Sequence, residues 1–441
     1  MVGEWQRREV SDLLNEGKLI IGDGYRAKNE ELTSSGLPFA RAGNINNGFR
    51  FEDADHFPEQ NLARVGNKVS QPGDVVFTSK GTVGRFALVR PETKRFVYSP
   101  QLCFWRSLDC EKIDPRFLYY WMCGHEFFVQ FKGVSGQTDM AEYVSLTDQR
   151  RMHITLPSIY EQRAIAHILG TLDDKIELNR CMNETLEAMA RVLFKSWFVD
   201  FDPVRAKMEG RDTGLPKEIA DLFPDSFEES EMGEIPRGWK KLPLYETAKF
   251  INGAAFKSED FCATGEGLPV VKIAELKDGI STQTKWSQRQ AGPEQLINTK
   301  DLLYSWSGSP DTSLDAFLWT KGPGLLNQHI FKVVAPTTTQ KRFVYYLLKF
   351  LRPILVETAR NKQTTGLGHV TVADMKRLLV CWPTEEILAA FDRKIAPIFD
   401  RAFANSIEVQ ALAALRDTIL PKLISGELHM SNVGSIALES A

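Results

Sequence analysis

The sequence has no apolar run of about 18 residues, the length a membrane-spanning helix needs, so no membrane partner is expected. Met1-Val-Gly-Glu-Trp5 lacks the basic start and apolar core of a secretory leader. The six cysteines (Cys103, Cys110, Cys123, Cys181, Cys262 and Cys381) show no paired spacing such as CxxC. Reduced thiols in a cytoplasmic protein are the expectation. Signatures of covalent chemistry are also missing. There is no GxxxxGK(S/T) phosphate loop, no HExxH, no GxSxG and no Asn-Pro-Pro-aromatic methyltransferase pocket. Gly22-Asp-Gly24 is too short for a dinucleotide fingerprint. The seven histidines are scattered, and Cys123 with His125 would need two further ligands that no local spacing supplies. Asp173-Asp-Lys175 suggests a nuclease trio but has no partner acid nearby, and reads as a solvated helix face. These absences predict a chain with no catalytic residue, cofactor site or metal site of its own.

Net charge is small, −3, but unevenly placed. Residues 207–236 hold nine acids against three bases, so this segment carries −6 of a net −3 and leaves the remainder at +3. A mildly basic remainder permits a polyanionic partner without demanding one.

The chain does contain itself twice. Arg116-Phe-Leu-Tyr-Tyr120 returns as Arg342-Phe-Val-Tyr-Tyr346, and Gln137-Thr138 and Pro157 return as Gln363-Thr364 and Pro383, all displaced by 226 residues. Upstream the offset drifts: Gly73-Asp-Val-Val-Phe77 matches Lys300-Asp-Leu-Leu-Tyr304, Gln101 matches Gln328 at 227, and Gly36-Leu-Pro38 matches Gly267-Leu-Pro269 at 231. Constant order with a drifting offset is the mark of a duplicated unit with loop insertions. Two such units suit a partner with two half-sites.

Each unit begins with short β-rich runs and turns, and ends in a long helical stretch. From Ile165 to Trp197, steps of three and four land on apolar residues broken by Asn179 and Asn183; from Phe391 to Leu423 the same ladder passes through Asn405. This is the seam of a coiled coil, where Asn179 and Asn405 can fix register. The expected fold is α+β. Two similar α/β domains (1–157 and 240–383) alternate with two long helices (158–201 and 384–430), which pack as an antiparallel coiled coil with pseudo-two-fold symmetry. An acidic Pro/Gly linker (202–239) lies between the units, and a tail (431–441) follows.

Three polar loops recur at equivalent places. The first holds Arg41, Asn44 and Asn46, answered by Lys272 and Lys277 with Lys285 and Arg289 just beyond. The second is the glycine-rich turn from Ser79 through Lys80 to Arg85, answered by Ser305-Trp-Ser-Gly308. The third holds Gln137, answered by Gln363 and Thr364, with Lys132 and Lys362 near. Arg and Asn suit guanine and adenine edges in the major groove, and small turns suit phosphates. Asn-Gly and Ser-Gly are also ordinary turn formers; the recurrence favours recognition.

Several motifs in fixed order resemble one family over nearly the whole chain. They are Leu193-Phe-Lys-Ser-Trp-Phe-Val-Asp-Phe-Asp202 with Pro203-Val204, Gly233-Glu-Ile-Pro236 with Gly238-Trp239, Leu420-Pro-Lys-Leu-Ile-Ser-Gly-Glu-Leu428, and Glu161-Gln162-Arg163 after Pro157. The chain resembles the specificity subunits of type I restriction-modification systems, although Pro383-Thr-Glu-Glu386 departs from the Glu-Gln-Arg pattern. The resemblance implies two target recognition domains, each reading half of a split site in double-stranded DNA, with the paired helices as a ruler. It also implies two methyltransferase subunits and restriction subunits as partners, with S-adenosylmethionine, ATP and Mg on those partners. The alternatives are a coiled-coil assembly protein whose flanking domains bind other proteins, and an enzyme with a hidden site.

Overall fold

The computed structural model describes residues 5–45, 48–80, 84–135, 144–290, 292–363 and 366–428. The chain divides into two compact units: residues up to Ile176 with those from Ala411, and Glu177–Gln410. The divisions fall inside the two long helices, Ile159–Phe198 and Glu385–Ile424.

In the first unit, strands Leu19–Asp23, Leu102–Ser107, Val75–Thr78 and Phe86–Leu88 lie side by side in that order, all antiparallel. A smaller mixed sheet orders His56–Phe57, Leu37–Ala40 and Val97–Tyr98, the last pair parallel. Gln6–Glu9 pairs with His153–Leu156, the strand that leads into the first long helix. The second unit repeats the plan. Lys249–Asn252, Ile330–Val334, Leu302–Ser305 and Asp315–Leu318 form the larger sheet. Trp286–Ser287, Leu268–Val271, Gly324–Leu326 and Leu296–Ile297 form the smaller one, and Lys240–Pro243 pairs with Leu379–Trp382. Mixed sheets and long helices make this an α+β fold.

A carboxylate paired with a cation links the two sheets of each domain, fully buried in the first and partly exposed in the second. Asp74, fully buried, accepts from Arg106 Nε (2.5 Å) and Nη2 (2.7 Å), from the Tyr98 hydroxyl (2.5 Å) and from the Gln71 amide (2.8 Å). Arg106 Nη2 also donates to the Val69 carbonyl at 3.1 Å. In the second domain Asp301 accepts from the Asn298 amide (2.7 Å) and ion-pairs with Lys332 Nζ at 3.1 Å, while Lys332 donates to the Leu296 carbonyl. Strand register places Lys332 where Phe104 stands, two residues from the Arg106 position. Side chains two apart share a sheet face, so either position can deliver a long cation to the same carboxylate.

The first long helix starts after Pro157, where the Ser158 hydroxyl accepts from the Glu161 amide. Gln162 explains the Glu-Gln-Arg motif. Nearly fully buried, it donates to the carbonyls of Lys112 and Pro157 and accepts from the Asp114 amide, fixing the helix start to the turn before Pro115–Met122. Arg163 adds an ion pair to Glu111 at 2.7 Å. At the matching place the second helix carries buried Leu388, so it begins at Glu385 on apolar packing instead.

Asp173 and Asp174 overturn the expectation of a solvated face. Asp173 accepts from the Tyr120 hydroxyl and Arg416 Nη1, both at 2.7 Å, and Asp174 accepts from Arg116 (2.7 Å) and Arg90 (2.9 Å). Asp173 faces inward and Asp174, still nearly half exposed, is held in ion pairs, because helix Pro115–Met122 meets them with its own arginine and tyrosine. Gly170 leaves room for this: a Cβ at that position would come within 2.6 Å of Arg116 Nη1. The second copy repeats the pair as Arg342 with Asp400 at 3.1 Å. The duplicated Arg-Phe-x-Tyr-Tyr motif is therefore a clamp from each domain onto a long helix.

Within the second unit, Glu177–Phe198 runs antiparallel to Glu385–Gln410. Phe194 packs edge-on and Trp197 tilted against Phe391, and Asn405 Nδ2 donates to Asn183 Oδ1 at 2.9 Å. Asn179 and Asn405 are both buried, but they do not meet: Asn179 donates to Glu408 at 2.9 Å, and Asn183 donates to Ala402 O and Ser406 Oγ. The stretch 202–239 is not a loose linker. It forms helix Asp202–Met208, a turn at Lys217–Ala220 and a hairpin of Phe227–Ser230 with Gly233–Pro236. Val204, Phe223 and Trp239 are buried with Trp197 and Phe198, because apolar residues between its prolines and glycines fill the gap at the helix end. In the first unit Leu423 and Ile424, the counterparts of Trp197 and Phe198, are buried against the first domain.

Replacing Arg106 with Leu should destabilise the first domain by about 3–5 kcal/mol, because Asp74 is left charged and buried. Denaturant unfolding should show this, with partial recovery when Asp74→Asn is added. Lys332→Leu should cost less, since Asp301 is more open to solvent.

Candidate functional site

The strand-to-turn junction after each parallel strand carries a cation. Arg41 stands at the residue that opens the short turn Ala42–Asn44, and Lys272 at the residue that opens the helix Ile273–Asp278. Each also lies over an aromatic ring, Arg41 over Phe39 at 5.6 Å and Lys272 over Phe261 at 5.2 Å. The equivalence expected from the repeat therefore holds at the level of backbone position.

In the first domain the structure gathers Arg41, Asn44 and Arg85 around one loop. Asn44 Oδ1 accepts from the Arg41 amide at 2.8 Å, and its Nδ2 donates to the Arg50 carbonyl at 2.9 Å. Arg85 Nη1 donates to the carbonyls of Ala42 and Ile45, both at 3.3 Å. Asn44 and Arg85 thus shape the loop from within. Arg41 differs: it pairs with Asp55 at 2.6 Å, but both side chains remain nearly half exposed. Such an exposed pair contributes little to stability and exchanges readily for another anion. Lys80 follows Ser79 at the end of strand Val75–Thr78, and the Ser79 amide donates to the Gln101 carbonyl at 2.9 Å. Gln101 accepts from the Ala42 amide at 3.1 Å and so joins the first and second loops. Asn46 and Gln137 lie outside the described residues.

In the second domain the loops converge on Trp306 and Gly308. The Val370 amide donates to the Trp306 carbonyl, and Ser307–Gly308 pairs with Gly368–His369. Gly308 has φ +117°, and a Cβ there would lie 2.7 Å from the Ser313 side chain and 3.3 Å from Ile273, so the turn requires glycine. The Trp306 amide donates to the His329 carbonyl, and the Asn327 amide to Val271 O, just before Lys272. Lys277 and Lys285 are exposed nearby in sequence. Arg289 donates to Ala255 O at 2.7 Å and lies over Phe256. Gln363 is exposed, with its amide on Arg360 O, and Thr364 lies outside the described residues. Lys362 is engaged: Asp374 sits 2.5 Å from its Nζ. Burial pushes the Asp374 carboxyl upward, but Lys362 and the Thr371 hydroxyl outweigh it and hold the pKa at about 2.

Strand register also corrects one match. Leu102 and Ile330 stand at the same place, so Gln101 corresponds to His329 rather than to Gln328. Sequence reasoning passed over His329, Asn252 and Trp306 as site residues. Trp306 carried the one available signal, a large aromatic side chain in a run otherwise made of serine and glycine.

The same polar loops, built twice on one sheet plan, are matched by one family model. The type I restriction modification DNA specificity domain matches residues 3–188 and again 236–416. The chain belongs to this family. As a member of the type I DNA specificity family it is 25% identical over 459 residues to the specificity subunit of the type I restriction enzyme HindI of Haemophilus influenzae, covering 92% of this chain and 98% of that one. It is 22% identical over 442 residues to the MjaIX specificity subunit of Methanocaldococcus jannaschii, covering 98% and 95%. Among solved structures it is similar in fold to a type I restriction-modification S subunit from M. genitalium, with TM-score 0.56, 16% identity, and 95% and 96% of the two chains covered. In this family member no helix among the described residues is long and apolar enough to cross a membrane. No group of three or more His, Cys, Asp or Glu among the described residues is placed to hold a metal.

Asn44→Ala removes the acceptor for the Arg41 amide and the donor to Arg50. The expected loss is about 1–2 kcal/mol for the two hydrogen bonds, confined to the loop. Hydrogen exchange should speed up at the Arg41 amide while exchange in strand Leu102–Ser107 stays slow.

Proposed function

We propose that this chain is the DNA-reading subunit of a type I restriction-modification complex. Each of its two domains recognises one half of a split site in double-stranded DNA. One observation carries the reading: a single set of polar loops, with a cationic residue opening the turn after the parallel strand, is assembled once in each family-matched half. Arg41 supplies exposed positive charge and Lys272 a half-buried one, suited to phosphate or to a guanine edge. Asn44 and Arg85 hold the first loop in shape, so their contribution to recognition is positioning. The chain guides chemistry without performing it. Methyl transfer from S-adenosylmethionine belongs to methyltransferase subunits, two in the complex, and ATP- and Mg-dependent work belongs to restriction subunits. The assembly acts in the cytoplasm. The absence of catalytic signatures in the sequence and the names of the relatives support this division of labour.

Exchanging residues 240–383 for the matching domain of another family member tests the reading. With the partner subunits present, methylation mapping should show one half of the target changed and the other kept. A swap that alters both halves would refute independent recognition. The purified chain incubated alone with duplex and S-adenosylmethionine should transfer no methyl group, and transfer with contaminating methyltransferase excluded would refute the non-catalytic role.

A further inference from the structure

The two domains carry different chemistry at one equivalent place, where their polar loops meet. Backbone geometry fixes the equivalence. The Ser79 amide donates to Gln101 O at 2.9 Å, and the Trp306 amide donates to His329 O at 3.4 Å. Asp23 opposes Cys103, and Asn252 opposes Phe331, in the same register. Asp23, Ser79 and Gln101 therefore correspond to Asn252, Trp306 and His329.

In the first domain these groups bind the fold itself. Asp23 pairs with Lys68 at 2.8 Å, the Ser79 hydroxyl donates to Gln101 O at 3.3 Å, and Gln101 accepts from the Ala42 amide. In the second domain they form an open cluster. Trp306 is half-buried, its ring 5.7 Å from both Phe331 and His329. Its Nε1 donates to Asn252 Oδ1 at 3.2 Å. Asn252, Gln328 and His329 are all exposed around the ring, with Gln328 Nε2 and His329 Nε2 at 3.3 Å.

An indole buried on one face has few rotamers, and its single N–H has one use. Bonded to Asn252 Oδ1, it fixes the amide of an otherwise free surface side chain and leaves the Nδ2 group to donate outward. Fixing a donor before binding removes the entropy of ordering it later, and a fixed amide distinguishes base edges. An unsupported surface asparagine must be ordered on binding and can rotate to present either its donor or its acceptor.

We propose that Asn252, held by Trp306, is a specificity-determining residue of the second domain, donating to a base edge in the major groove of duplex DNA. The neighbouring Gln328 and His329 border the same contact. This rests on the reading that each domain recognises one half-site, and it adds that the two halves are read by different chemistry at this position.

The test uses the assembled complex with its partner subunits, and reads both genome-wide methylated sites and binding to duplexes substituted one base pair at a time. The half belonging to residues 240–383 is first assigned by the domain exchange. Asn252→Ala, an exposed substitution, should relax one position of that half by about tenfold or more and leave the other half unchanged. Trp306→Phe keeps a ring but removes the N–H, and should relax the same position. That second result separates a positioning role for Trp306 from simple support of the loop, which phenylalanine would largely preserve. The proposal is overturned if both variants keep the wild-type preference at every position, or if discrimination falls equally in both halves. If the unaltered complex shows no two-part preference at all, it is the underlying half-site reading that fails.

Discussion

A 40-residue amphipathic helix cannot keep its apolar stripe out of water by itself, and this chain has two of them. Much else in the structure follows from that constraint. Each compact unit contains part of both helices, and each helix end finishes on a domain core. Trp197 and Phe198 complete the core of the second unit, and Leu423 and Ile424 that of the first. Two of the motifs that carry the family resemblance, at Leu193–Asp202 and Leu420–Leu428, lie at these endings. Their role within the fold is to end a helix on a core. Charge clamps then set the angle of approach: Arg116 with Asp174 in one unit, and Arg342 with Asp400 in the other.

The seam is not uniformly apolar. Asn179, Asn183 and Asn405 form a polar stretch within it, and their amides bond across to Glu408, Ala402, Ser406 and each other. Apolar seams tolerate sliding by a turn, whereas misplaced buried amides lose hydrogen bonds that water cannot replace. The polar stretch therefore ties the helices to one alignment in that unit. The buried Asp74 clamp and the more open Asp301 clamp work similarly inside the domains, holding one sheet to the other behind the loops.

Rigidity behind the loops and openness at their tips are complementary. Asn44, Arg85 and Gln101 use their hydrogen bonds within the loop, so its shape exists before any ligand arrives. Arg41, in contrast, keeps its charge in an exposed pair. Side chains of one type thus divide between shaping a surface and presenting chemistry on it, and the division depends on neighbours distant in sequence.

The sequence by itself determined the duplication, the long helical stretches and the absence of familiar catalytic motifs, because these are properties of local pattern and composition. Heptad spacing requires only neighbouring residues, and a repeat needs only comparison of the chain with itself. It also placed Asn179 and Asn405 on the buried side, since periodicity alone decides which face a residue occupies. Tertiary structure decided the partners. Asp173 and Asp174 looked like a solvated face because their arginines lie up to 243 residues away. The stretch 202–239 looked like a linker because Phe223 and Trp239 meet Trp197 only after folding. Asn44 and Arg41 were indistinguishable as candidates until the loop closed and engaged one amide while leaving the other side chain exposed. His329 replaced Gln328 as the counterpart of Gln101 because strand pairing, not residue identity, sets register. Which side chains remain to meet a ligand is fixed by contacts between segments far apart in the chain, and no local pattern encodes those contacts.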